Sequence, residues 1–483
     1  MLEAGTVRSK NTRDILMKNL TDACIVALVW WAVGAGVAGG GNNGFIGGIG
    51  SNFFLSMDAS AAASSHSWLL GYVYAAASCT IVSGAIAERT QHTAYMISSS
   101  LTASLIYPVA AHWFWAPDGW LNPSNPAAFI GGAVDVAGGG VVHLTGGLLA
   151  LVAAAVSRPR DGRFNPLTGA PEPIPGHSSV LVVLGTFFLW VGWIAFNLGS
   201  VVDLTSPGVP RIAAKVATHT VLAGATASLV TTAIERWRHK HWSVTNACNG
   251  VLAGLVSITA GCATVPTWAS VVIGLVGGVL FSAASRFVLH VLKVDDVVDA
   301  FAVHGACGLW SLLAAGLFSS GAFIPTRVGA FMGGDGTALG AAFVGALSIL
   351  VWAGGLGSAV FLATRRANLL RVDREAELVG IDAIELGGCA YGADPDAAPD
   401  GMPRRPPPYS PAAPAAPAAR PHSPPGNDIW YDGPQPAQPP PAYAAPNGGA
   451  GEEEASGEGA LPAAGPPAAY TAEEAAAAGD ERE

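Results

Sequence analysis

Apolar positions along this chain come in long unbroken runs, with the charged residues gathered between them. From Thr21 to Ala363, apolar stretches of about 17 to 26 residues recur, each long enough to cross a bilayer core as a helix. They fall at roughly 21–38, 68–87, 93–111, 135–156, 178–200, 212–234, 248–264, 267–289, 300–318 and 338–363, ten in all. Because the runs are continuous rather than alternating, they exclude a β-barrel and predict an all-α integral membrane protein.

The polar gaps set the orientation. Arg8, Lys10, Arg89, Arg158, Arg160, Arg236, Lys293, Arg365 and Arg366 fall on one side, whereas the other holds only Arg211 and Arg327. By the positive-inside rule the basic side is cytoplasmic, so residues 39–67, 112–134, 201–211 and 319–337 are expected outside and both chain ends inside. The fourth and ninth stretches then run in opposite directions. That matters because the two resemble each other.

Residues 135–154 read DVAGGGVVHLTGGLLALVAA and residues 296–315 read DVVDAFAVHGACGLWSLLAA, aligning without a gap. His143 pairs with His304, Gly147 with Gly308, Leu148 with Leu309, and Asp135 and Asp296 each stand eight residues ahead of their histidine. An inverted repeat is a recurring construction of transport proteins, with the functional site between the halves. A histidine in an apolar helix can be a packed residue bonded to a neighbour. Intramembrane ionisable groups are costly, however, and two at equivalent repeat positions point to a pathway where the imidazoles meet.

Composition agrees with a membrane protein: 51% of residues are hydrophobic, only 12% charged, and glycine contributes 61. The net charge of -10 says little about partners, since the tail carries much of the acid, and nothing suggests nucleic acid. Cys24, Cys79, Cys248, Cys262, Cys307 and Cys389 lack ligand spacing and read as small packing residues, so no metal and no cofactor is expected. No nucleophile and base pair stands on facing helices, which argues against an enzyme. Asp135 caps a helix N-terminus or attracts a cation at the outer mouth, and both readings stay open. His112-Trp113-Phe114-Trp115 begins an outer loop, and Trp193 and Phe196 end the fifth stretch near the same surface. Tryptophan there is an interface anchor or a face for a cation.

Several motifs together resemble the ammonium transporter (Amt/Mep/Rh) superfamily, in its plant-type branch. They are MLEAGTVRSKN at 1–11, NNGFIG at 42–47, GAIAER at 84–89, DVAGGGVVH at 135–143, GWIAFNLGS at 192–200, CNGVLAGLVSITAGC at 248–262 and DDVVDAFAVHGACGLW at 295–310. The resemblance implies the family fold, inverted five-helix repeats plus a C-terminal spanning helix, assembled as a homotrimer with a pore in each subunit. Of the family's eleven helices the first is expected to be largely missing here, leaving about ten spans. It further implies that His143 and His304 are the twin pore histidines, that Trp115, Ser200, Phe196 and Asp135 serve the outer cation site, and that Phe196 and Tyr74 form the gate. Tyr74 replaces the family's phenylalanine, Leu70-Gly71 replaces a Phe-Gln pair one turn earlier, and Ile384 occupies a regulatory threonine position that it cannot offer for phosphorylation.

The implied function is plasma-membrane transport of ammonium, with methylammonium as an analogue. An ammonium sensor with little flux and a neutral ammonia channel of the Rh type are the alternatives. Three regions are expected: a transmembrane domain over 1–364, a cytoplasmic regulatory segment over 365–391, and a Pro/Ala/Gly-rich tail over 392–483 that cannot bury a core. Two PPxY strings in the tail, ending at Tyr409 and Tyr443, are of the sort that WW domains bind.

Overall fold

The computed structural model describes residues 1–39, 43–47, 62–201 and 209–391. The tail from 392 onward, with both PPxY strings, lies outside the described residues, as does most of the first outer segment. Ten helices follow the ten predicted stretches: α1 Ser9–Ala38, α2 Ser67–Ala85, α3 His92–Trp115, α4 Gly139–Ser157, α5 Ser179–Gly199, α6 Pro210–His239, α7 Val244–Thr259, α8 Thr267–Val291, α9 Phe301–Phe318 and α10 Thr337–Arg366. All but α7 are long and apolar enough to cross a membrane. Among the described residues there are only isolated β-bridges and no strand.

Helices α1 to α4, together with α10, enclose the largest core cluster, built around Trp30, Tyr95, Tyr107, Phe114, Leu149 and Phe361. Two further clusters are formed mainly from α5 to α9. The outward faces stay apolar, as on α5 at Phe187, Phe188 and Val191, which suits lipid rather than water.

Boundaries differ from the sequence reading at three places, each for a local reason. The third helix continues to Trp115, so His112 to Trp115 are its last turn and not a loop. Here His112 is bonded to the carbonyls of Gly39 and Asn43, and Trp113 Nε1 donates to Phe45 O at 2.9 Å. At α4 the helix starts at Gly139, because the chain bends at Val136 and Ala137 and Gly138 is left-handed, at φ 94°. Helix α7 stops at Thr259, where Ala260 O accepts from Val136 N at 2.9 Å and Ala260 N donates to Ser311 Oγ at 2.9 Å. Non-helical backbone at membrane depth is tolerated when its polar groups are satisfied inside the protein, and these two breaks satisfy each other.

Charged residues tie the basic end together. Glu88 is paired with Arg8 and, at 3.3 Å, with Arg160. Asp295 accepts from Arg160 Nε at 2.8 Å and from Nη2 at 3.0 Å, with Arg163 also in ion-pair reach. Burial works against the ionised Asp295 carboxyl, yet Arg160 and Arg89 hold it well below the usual carboxylate range. Its neighbour behaves oppositely: burial, with Asp299 beside it, pushes the Asp296 carboxyl up to about 7.

Beyond α10, two short helices, α11 Arg374–Val379 and α12 Ile381–Glu385, lie against the start of α1. Asp382 accepts from the backbone N–H groups of Arg13 and Asp14 at 2.8 Å each, capping that helix. Lys10 Nζ donates to the carbonyls of Glu377 and Leu378, and Arg371 pairs with Glu377 at 2.6 Å. Four cysteines are buried packing residues as expected, while Cys24 and Cys389 are exposed instead, and all six are free.

Candidate functional site

Helices α4 and α9 each begin in a π-helical turn, Gly139–Leu144 and Phe301–Ala306, and each turn carries the histidine of its repeat. Such turns are rare and recur at functional sites, since the extra residue redirects side chains. The two turns cross through the repeat's paired glycines. A Cβ on Gly147 would sit 2.1 Å from Gly305 N, and one on Gly308 would sit 2.6 Å from Gly139 O and 2.7 Å from Leu144 N. One helix ascends past the other as it descends, so the halves are antiparallel where they touch. Small residues permit the approach.

The approach brings the imidazoles together: His304 Nδ1 lies 3.2 Å from His143 Nδ1, and the ring centroids are 5.2 Å apart. His143 is 2% exposed, and its Nε2 is buried with no hydrogen-bond partner among the described residues. From there a file of rings leads away from the pair. Phe196 lies 5.6 Å from His143 by centroid, Tyr74 lies 4.4 Å from Phe196, and Trp115 lies 5.5 Å from Tyr74. Tyr74 donates its hydroxyl to Phe196 O at 3.0 Å, which holds the two rings together. At the other end the imidazoles open into a cavity of about 480 Å³, lined by Trp193, Phe196, Asn249, Val303 and Glu3 among others.

At the far end of this file, Trp115 Nε1 donates to Asp135 O at 2.7 Å, which fixes the indole beside Tyr74. The Asp135 carboxylate accepts four backbone N–H bonds, from Gly138 and Gly139 at Oδ1 and from Gly140 and Val141 at Oδ2, between 2.7 and 3.0 Å. That geometry is a helix cap, with both carboxylate oxygens taken up by backbone N–H groups. Ser200 donates to Asn197 O at 2.7 Å.

Trp193 is a residue whose place the sequence reading missed. Instead of ending at the outer surface, it stacks on His143 at 4.8 Å with the planes 17° apart, and its Nε1 donates to Thr259 Oγ1 at 3.1 Å. It stands three residues before Phe196 in α5, one helical turn, and that spacing was the available signal. His219 is a packed residue by contrast, bonded to Cys262 O and Thr267 Oγ1. Gly71 also has a reason: a Cβ there would press to 2.4 Å from the Trp30 indole.

Antiparallel repeats meeting through small residues, with a ring-lined passage and paired imidazoles between them, define a multi-pass membrane transport protein of the inverted-repeat kind. The chain belongs to the Ammonium Transporter Family, whose model matches residues 1–391. Putative ammonium transporter 1 member 5 of Arabidopsis thaliana is 40% identical over 431 residues, covering 84% of this chain and 85% of that protein. Ammonium transporter 1 member 2 of Oryza sativa subsp. japonica is 39% identical over 422 residues, covering 83% and 84%. Among solved structures, a chain titled Sensor Amt Protein superposes with a TM-score of 0.72 at 34% identity, over 80% of this chain and 92% of that one. Saccharomyces cerevisiae Mep2 gives a TM-score of 0.65 at 27% identity, over 77% and 82%.

Proposed function

We propose that the protein carries ammonium across the plasma membrane by binding the cation outside, removing its proton and passing ammonia between His143 and His304. The energetics favour this division. Moving an intact small cation into a low-dielectric passage costs tens of kcal/mol in the Born limit. Deprotonation at pH 7 costs roughly 4 to 5 kcal/mol if a lysine ammonium, titrating near 10.4, stands in for the substrate.

Each group then has a task suited to its position. Trp115 offers its π face, and attraction of a cation there contributes about 0.5 to 2 kcal/mol. Ser200 accepts a hydrogen bond from the cation, and the capped Asp135 raises the local negative potential. Tyr74 and Phe196 form the gate, which a hydrated potassium ion cannot part without losing its water. Beyond them the bonded imidazoles accept and donate at their nitrogens, so they line the passage for ammonia and hand the proton along. The observation that carries the reading is the 3.2 Å contact between the two imidazoles at the end of the ring file.

The relatives' names point the same way, to a transporter rather than an enzyme. We assign the basic end and the C-terminal segment to the cytoplasm, and the functional unit to a homotrimer in the bilayer. Uptake of labelled methylammonium by proteoliposomes tests the reading. Saturable uptake that falls in both His143→Ala and His304→Ala supports it; binding without uptake would instead mark a sensor, and unchanged uptake in both variants would remove the histidines from the path.

A further inference from the structure

The cavity that the imidazoles open into is lined in part by a carboxylate that the pore reading leaves without a task. Glu3, in the short helix Leu2–Thr6, lines that cavity together with His143, His304, Asn249 and Val298. It stands toward the basic loops, the inner end by the distribution of arginine and lysine. Its position is well defined. Asn19 Nδ2 donates to Oε2 at 2.8 Å, and Ser83 Oγ lies 2.8 Å from Oε1. Thr80 Oγ1 donates to Asn19 Oδ1 at 3.2 Å, which orients the amide. The glycine at 84 makes room for all this, since a Cβ there would lie 2.7 Å from Glu3 Oε1.

All of these hydrogen-bond partners are neutral. No lysine or arginine side chain forms an ion pair with Glu3 among the described residues, and the positive charge that acts on it is the N-terminal ammonium of Met1, on the same cavity wall. A carboxylate drawn out of water with only neutral donors is costly to keep charged, and a proton arriving from the cavity relieves that cost. Such a proton is what the imidazole pair delivers. About 480 Å³ leaves room for a file of water between the rings and the carboxylate, at about 30 Å³ per molecule.

We propose that Glu3 is the inner proton station of the pore: it takes the proton passed along His143 and His304 and returns it to ammonia leaving at that end. This rests on the pore reading above. In the first step an imidazolium N–H bond breaks, through the intervening water, as a carboxyl O–H bond forms on Glu3. In the second step that O–H bond breaks as the fourth N–H bond of ammonium forms, and the carboxylate is regenerated. No proton is consumed over the cycle.

The test uses the full chain in proteoliposomes, with ammonium-evoked current and methylammonium uptake recorded on the same preparation. Glutamine matches glutamate in shape and keeps the bonds to Asn19 and Ser83, whereas aspartate keeps the acid and shortens its reach. A proton station therefore predicts that Glu3→Gln loses at least tenfold of the current and Glu3→Asp about threefold. A merely structural role gives the reverse order, and that order, or a Gln variant at wild-type current, overturns the proposal. If Glu3→Gln fails to fold, judged by thermal unfolding in detergent, Glu3→Ser takes its place with the same expected loss. Wild-type uptake without any current also overturns it. Should His143→Ala and His304→Ala abolish uptake while Glu3→Gln runs unchanged, Glu3 fails alone; should the histidine variants keep full uptake, the pore reading fails and Glu3 with it.

Discussion

The two histidine turns share a sequence pattern and a backbone form, yet they sit in different surroundings. In the first, Gly139–Leu144, the helix start is closed: Asp135 caps four N–H groups, and His143 is buried with its Nε2 unpartnered among the described residues. In the second, Phe301–Ala306, Asp296 accepts from Phe301 N at 2.8 Å through one oxygen while its Oδ1 has no partner among the described residues, and His304 is half-buried on the cavity wall. Symmetry is kept where the halves touch each other and lost where each meets its own side of the membrane. The paired glycines and imidazoles belong to the contact; the carboxylates belong to the mouths.

The sharpest way to break this comparison is to remove one ring at a time. His143→Ala and His304→Ala are each expected to lower methylammonium uptake about 100-fold, in the range of a lost acid–base group. A large loss in only one would show that the pair is not used as a pair. Next come the glycines, because the contact they make is reciprocal. Gly147→Ala and Gly308→Ala each force backbone apart, at about 1 to 3 kcal/mol measured by thermal unfolding in detergent. Similar costs in both sharpen the symmetry, and a cost in one alone breaks it.

The carboxylates should differ. Asp135→Asn leaves one oxygen to serve four N–H groups, and a loss of about 1 to 2 kcal/mol is expected in the same assay. Asp296→Asn should cost less in amplitude but change the pH dependence. With its carboxyl raised to about 7, the folded state holds that proton more tightly than the unfolded chain, where aspartate titrates near about 3.9. The stability it contributes is therefore greatest below pH ~4 and declines as pH rises toward 7. Stability curves from pH 4 to 8 should show that decline flattened in Asp296→Asn, and an unaltered slope would remove Asp296 as its source. The smallest effect is at Tyr74. Tyr74→Phe loses one hydrogen bond to Phe196 O, worth about 1 kcal/mol, and uptake is expected to stay within severalfold of the parent.

Much of the architecture was legible in the sequence because lipid leaves a helix few alternatives. An apolar run of membrane length must satisfy its backbone within itself, so the ten stretches became ten helices. The internal repeat was legible too, since the glycines that permit close approach and the histidines they bring together are the residues it conserves between its halves. Less legible were the breaks at residues 135–138 and after Thr259. Each depends on a backbone partner far along the chain, Val136 N with Ala260 O, and no local pattern announces a bond between segments more than a hundred residues apart. Trp193 was misplaced for a similar reason: hydropathy marks a tryptophan near a helix end as an interface residue and carries no information about the ring it stacks on.

The chain's own pattern decided where the helices among the described residues lie and which two must cross, because the cost of burying polar groups acts locally on every residue in a membrane. Only the tertiary structure decided what the crossing makes: a pair of imidazoles 3.2 Å apart, a tyrosine locked to a phenylalanine above them and a carboxylate below. Those distances come from packing between segments remote in sequence, where the position of one ring is set by the volumes of its neighbours.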